Sequence, residues 1–105
     1  MRTSEITRAV RTVQVNGLSV EQGQFIGLWD GDLITAGDSP LTVAINLLQR
    51  IGADEVEIVT LYYGQGVTKA EADAMANSIA QTLSHLEVEV VEGGQPHYHY
   101  IISAE

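Results

Sequence analysis

Val56-Glu57-Ile58-Val59-Thr60-Leu61-Tyr62-Tyr63 is the most strand-like run in the chain, and Gly64-Gln65-Gly66-Val67 and Thr68-Lys69-Ala70-Glu71 follow it directly. The run is apolar on both of its alternating faces, as a strand inside a sheet requires. Thr68 followed three residues later by Glu71 is a capping box, in which each side chain can satisfy the other's free backbone N–H, so a helix opens there. It is expected over 69–86, with Ala72, Met75, Ala76, Ile79, Ala80, Leu83 and Leu86 as its buried stripe. So many alanines imply that it lies close against a sheet. Glu87-Val88-Glu89-Val90 then alternates polar with apolar, the pattern of a half-exposed strand.

Upstream, Gly37-Asp38-Ser39-Pro40 marks a change of period from two to about 3.6. Ser39 is the N-cap of a helix over 40–51, Pro40 takes the first helical position, and Gly52 supplies the stop. Leu41, Ala44, Ile45, Leu48 and Ile51 fall on one face, which needs a sheet to cover. Before that helix the chain is rich in short β-branched runs. Val10 to Val15 breaks at Asn16-Gly17, a two-residue hairpin signal, and Leu18-Ser19-Val20 is expected to pair back. Gln24 to Trp29 is separated from Asp32 to Ala36 by Asp30-Gly31, a second such signal, and Gly27 within the first of these strands suggests a bulge or a close approach of backbone. The expected fold is therefore α/β of the α+β kind: a two-layer, mixed β-sheet with an N-terminal antiparallel meander and two helices packed on one face. No linker, repeat or low-complexity segment interrupts it, so residues 1–105 read as a single domain.

The closing stretch Glu92-Gly93-Gly94-Gln95-Pro96-His97-Tyr98-His99-Tyr100-Ile101-Ile102-Ser103 joins the last two strands. Two glycines and a proline make a tight, rigid loop, because glycine permits positive φ and proline fixes it. In extended backbone His97 and His99 share one face and Tyr98 and Tyr100 the other. Two imidazoles could hold a metal if His85 or Glu92 converged on them, since a zinc site needs further protein ligands. Equally, they are polar residues of a partly exposed strand. Gly64-Gln65-Gly66 ahead of a helix could cradle an anion, but it lacks the lysine of a P-loop and the third glycine of a dinucleotide fingerprint, and an ordinary turn explains it as well. No serine lies in a recognisable nucleophile elbow, and Asp30 and Asp32 are turn residues.

A formal charge of -9, from 14 acidic and 5 basic residues, disfavours phosphate backbones and anionic lipid, so nucleic acid is not an expected partner. Arg2, Arg8 and Arg11 form the one basic cluster and read as solvated charges on an edge strand, with an anion site as the alternative. There is no cysteine, no membrane-length apolar run and no signal-peptide core, and membrane insertion is not expected. A cytoplasmic location is the expectation.

Several segments together resemble one family. Ala9-Val10-Arg11, Gly23 with Phe25-Ile26-Gly27 and Asp30-Gly31, Ile58-Val59-Thr60-Leu61-Tyr62-Tyr63-Gly64, and the ending Val90-Val91-Glu92-Gly93-Gly94-Gln95-Pro96 with Tyr98 and Tyr100-Ile101-Ile102-Ser103 are similar to the C-terminal end of bacterial dihydroxyacetone-kinase-like proteins, including the fatty acid kinases. The resemblance implies a C-terminal, DegV-like region that helps to engage fatty-acid-binding carriers. The aspartate-rich magnesium and ATP motif of the family's kinase domain has no counterpart here, so no catalytic residue, cofactor or metal is expected. His97 and His99 depart from the apolar, proline or tyrosine residues expected at those positions.

The expectation is a non-catalytic protein-binding module that docks an acyl-carrying partner through Gly93, Gly94, Gln95, Pro96, His97, Tyr98 and His99, with Tyr62, Tyr63 and Gly64 beside them. The alternatives are a small-ligand or metal-dependent enzyme using His97 and His99, and a structural domain that self-associates as a homo-oligomer.

Overall fold

In the computed structural model residues 2–15, 17–96 and 98–105 are described. The hairpin residue Asn16 and the loop residue His97 lie outside them. The elements run β1 (Arg2–Arg8), β2 (Val13–Val15), β3 (Leu18–Val20), β4 (Phe25–Trp29), β5 (Asp32–Gly37), α1 (Pro40–Arg50), a short 3-10 turn at Ala53–Glu55, β6 (Ile58–Tyr63), α2 (Lys69–Thr82), β7 (Glu87–Glu92) and β8 (Tyr100–Ala104). Six of the strands form one mixed sheet in the order β5-β4-β1-β8-β6-β7, and β2 and β3 form a separate ribbon. Among the described residues only β6 and β7 are parallel, joined through α2, and the other pairings are antiparallel.

Register assigns the faces. Ser4 and Ile6 of β1, Val59, Leu61 and Tyr63 of β6, and Tyr100, Ile102 and Ala104 of β8 are buried. They stand opposite one another across the ladders. This row meets Val43, Ala44, Leu47 and Leu48 of α1 and Ala72, Met75 and Ile79 of α2. Both helices therefore cover one face. Glu5, Tyr62 and Ile101 alternate with the buried row and lie on the other face, which no helix among the described residues covers.

β1 differs most from the sequence reading. Arg2 and Arg8 are not on an edge strand, because β1 sits between β4 and β8 in the middle of the sheet. Thr3, Glu5 and Thr7 alternate with Ser4 and Ile6, so the strand carries one large aliphatic residue and shows no hydrophobic run. Arg2 is engaged rather than solvated. Its Nη1 donates to the Ile51 carbonyl at 2.6 Å, just past the end of α1, and its Nη2 pairs with Glu55 at 2.8 Å. Arg8 stacks over the Phe25 ring at 4.6 Å. Strand β2 is also shorter than expected, starting at Val13.

The local signals behave as their chemistry requires. Ser39 accepts from the Thr42 N–H at 3.2 Å, and Gly52 follows the helix with φ 94°. Asp30 and Gly31 both have positive φ, as the β4–β5 turn demands. At Gly27 the β4–β5 register shifts, and a Cβ there would lie 2.8 Å from Leu47 Cγ. Bulge and close approach coincide, and α1 rests on the bare backbone. Helix α2 ends at Thr82, four residues before the expected 86. Leu83 has left helical angles (φ -118°, ψ 73°), and the Leu86 N–H bonds to the Leu83 carbonyl in a turn. That turn still returns Leu86 to the core, which is why helical spacing extends past the helix.

Candidate functional site

The C-terminal ends of β6 and β7 carry the closing loop, and the backbone at the end of β6 organises it. The Tyr63 carbonyl accepts from the N–H of Gly93 (2.9 Å) and Gly94 (3.1 Å), and the Tyr62 carbonyl accepts from Gln95 Nε2 at 3.0 Å. One residue on, the Gly64 N–H donates to the His99 carbonyl (2.9 Å) and the Gln65 N–H to the Gln95 carbonyl (3.1 Å). His99 in turn donates its N–H to the Ile6 carbonyl of β1 at 2.9 Å. The loop is thus laced to both neighbouring strands through backbone groups and one amide side chain.

Sequence dictates this geometry at two glycines. A Cβ at Gly64 would run into the carbonyl oxygens of Tyr98 and Gln95, both backbone atoms that cannot swing away. Gly94 has φ 68°, a left-handed conformation open to solvent. Gln95 is the side-chain member of the lacing, and its carboxamide packs over Gly93.

The expected contact residues divide into two groups. Gly93, Gly94 and Pro96 are exposed, Tyr62, Gln95, Tyr98 and His99 are partly exposed, and His97 lies outside the described residues. Gly64 and Tyr63 are buried. The Tyr63 ring faces the helices, where its hydroxyl donates to Glu92 at 3.4 Å, and it enters the site only through its carbonyl. Burial and the Glu92 carboxylate both push the Tyr63 phenol up. Gly66, Pro96, Tyr98 and His99 enclose a shallow cavity of about 210 Å³.

His99 is not in regular strand, since β8 begins at Tyr100. The expected shared face of His97 and His99 rests on His97, which lies outside the described residues. The His99 imidazole stands edge-on to Phe25, with centroids 5.5 Å apart, and its Nδ1 is buried with no hydrogen-bond partner among the described residues. Burial holds its pKa below the usual histidine value, Arg8 adds to that, and Glu71 opposes it. Arg8 over the Phe25 ring and His99 edge-on to it make a contact that composition and spacing give no means of finding. His85 follows α2 at the opposite end of the parallel β6–β7 pair and cannot reach this loop. Glu92 is engaged by Tyr63. Among the described residues no three His, Asp or Glu side chains gather as metal ligands.

At the start of α2, Thr68 accepts from the Glu71 N–H at 3.1 Å, and Lys69 pairs with Asp73 at 2.9 Å. The turn at Gly64-Gln65-Gly66 spends the N–H groups of Gly64 and Gln65 on the closing loop, so they do not form an anion cradle. No helix among the described residues is long and apolar enough to cross a membrane.

Comparison with known proteins covers the whole chain. The C-terminal family of FakA-like fatty acid kinase proteins matches residues 1–105. Protein YloV of Bacillus subtilis strain 168 is 31% identical over 105 residues, which is 100% of this chain and 19% of that protein. Uncharacterised proteins of Staphylococcus aureus strains MRSA252 and USA300 are 35% and 34% identical over the same shares. The chain thus spans about a fifth of the length of these curated relatives.

Proposed function

The chain belongs to the FakA-like C-terminal family of fatty acid kinase proteins, and on that premise we propose that it is a non-catalytic docking module whose closing loop receives a fatty-acid-carrying protein. The observation that carries this reading is the lacing of residues 93–99 onto the ends of β6 and β1. A loop fixed before binding loses little conformational freedom on association, and that saving appears directly as affinity. Pro96, Tyr98 and the edge of Tyr62 give the loop rigid surface for contact, and tyrosine supplies contact area at low entropic cost.

The chemistry at the loop favours binding over turnover. Glu92, Lys69 and Asp73 are engaged with neighbours, and His99 faces Phe25 with its pKa lowered by burial. The test is calorimetric titration of the chain with a fatty-acid-loaded DegV-like carrier from the same genome. A saturable complex is expected, weakened at least tenfold by Tyr98→Ala and by Pro96→Asp. Absence of a complex, or a complex indifferent to both changes, would refute the docking role. A second arm follows labelled ATP with magnesium, in which the chain alone is expected to show no turnover above a boiled control.

A further inference from the structure

The sheet face that α1 and α2 leave uncovered carries one row of side chains that runs straight across the strands. Register lines up Leu33 of β5, Leu28 of β4, Glu5 of β1, Ile101 of β8, Tyr62 of β6 and Val91 of β7, each opposite the next. Five of these are apolar or aromatic, and one carboxylate stands among them. The adjoining row, Thr3, Ser103, Thr60 and Glu89, is polar throughout and gives the band a wet margin on that side. Leu28 and Leu33 line an apolar groove of about 320 Å³ beneath the β2–β3 ribbon, together with Val13 and Val20 of the ribbon. The ribbon thus walls off one end of the band. From Glu5 to Val91 the band is left partly exposed, and Val91 reaches 41%.

Glu5 is the misfit in this row. It stands between Leu28 and Ile101 on a central strand, half-buried, and makes no ion pair or hydrogen bond among the described residues. Burial pushes its carboxyl above the ordinary value, and no neighbouring charge among the described residues offsets that. A carboxylate held in apolar surroundings without a partner costs free energy that an incoming cation recovers. Covering the band with apolar surface alone would desolvate Glu5 further. A second copy laid face to face would add like charge to a chain already at -9. The band therefore fits a partner that is apolar along most of its contact and positively charged at one end. From Glu5 to Val91 it crosses four strands, roughly 14 Å at the usual interstrand spacing, or about two to three turns of helix. An amphipathic helix presents a stripe of that kind, and the same sheet already takes two helices on its other face.

We infer that the open face is a docking surface for a basic amphipathic helix, its apolar stripe laid on Ile101, Tyr62 and Val91 and a lysine or arginine of that stripe paired with Glu5. Tyr62 is the one residue shared with the closing-loop surface, and the helix site stands whether or not the loop receives a carrier. The test titrates the 105-residue chain with a synthetic helical peptide of about four turns, whose leucine stripe ends in one lysine, beside a twin with glutamate in place of that lysine. Calorimetry reads affinity and amide chemical shifts read location. The lysine peptide is expected to bind one-to-one and at least tenfold more tightly than its twin, with the largest shifts at Glu5, Ile101 and Val91. Glu5→Gln, which keeps the size of the side chain, is expected to abolish that preference, and Glu5→Lys to reverse it. Val91→Asp, at an exposed edge position, is expected to weaken both peptides. The assignment is overturned by no saturable binding of the lysine peptide, by equal binding of the twins, by a preference that Glu5→Gln leaves in place, or by binding indifferent to Val91→Asp. Shifts confined to residues 93–99 would overturn it too. So would a dimer in sedimentation that Val91→Asp dissolves, because the face would then belong to a second copy of the chain.

Discussion

Gly64 is the residue on which the closing loop depends most. Its Cβ position is filled by two carbonyl oxygens of the loop, whereas at Gly94 the surrounding space is empty and only the left-handed backbone excludes a side chain. The two substitutions should therefore differ in kind. Gly64→Ala forces backbone apart and is expected to cost roughly 1–3 kcal/mol, while releasing the loop. Gly94→Val is expected to cost a similar roughly 1–3 kcal/mol through strain alone, with the lacing kept. Denaturant midpoints give the costs, and amide exchange at Gln65 separates the mechanisms by rising only in Gly64→Ala. His99 makes a prediction in pH. Its pKa is lowered in the folded chain, so the unfolded chain binds the proton more tightly. Stability from its neutral form is complete above the ordinary histidine value of about 6.5 and is lost as pH falls from there towards the lowered value. The denaturant midpoint should decline across that window. His99→Gln should flatten the decline, and an equal slope in both proteins would show that His99 is not responsible.

At the scale of elements, what was legible in the sequence is what local chemistry writes there. Ser39-Pro40, Thr68, Asp30-Gly31 and the β-branched run through Ile58–Tyr63 each need a particular backbone, and each produces it. Strand β1 was not legible, because its neighbours on both sides bury it and its own side chains need supply little. Leu83 and Leu86 carry helical spacing past the end of α2, since periodicity records which residues reach the core and not whether the backbone between them is helical. The loop's glycines and proline were readable as rigidity, but its partners on β6 and β1 are 30 or more residues away and leave no local signature. The clasp from β1 to α1 is of the same long-range kind. Arg2 donates a charged hydrogen bond to the free carbonyl of Ile51, worth about 1.5–3 kcal/mol, and its exposed pair with Glu55 adds about 0–1 kcal/mol. Arg2→Ala should thus destabilise markedly more than Glu55→Ala. Equal shifts in the denaturant midpoint would mean that the ion pair, not the helix cap, holds the strand.

For the whole molecule, the sheet divides the labour between its faces and its ends. One face is sealed by α1 and α2 over a continuous core. The other carries the β2–β3 ribbon and the groove beneath it. The closing loop meets the end of β1 at His99, and the segment from Ala9 to Arg11 leaves β1 at that same end. The closing loop and the Ala9 to Arg11 segment therefore lie at one end of the sheet. Hydrogen–deuterium exchange on the chain alone and in complex with a fatty-acid-loaded DegV-like carrier tests the docking role most directly. New protection is expected over residues 62–66 and 92–99, with α1 unchanged. Protection confined to the edge strand β5 or to the β2–β3 ribbon, with the closing loop exchanging as freely as before, would contradict it.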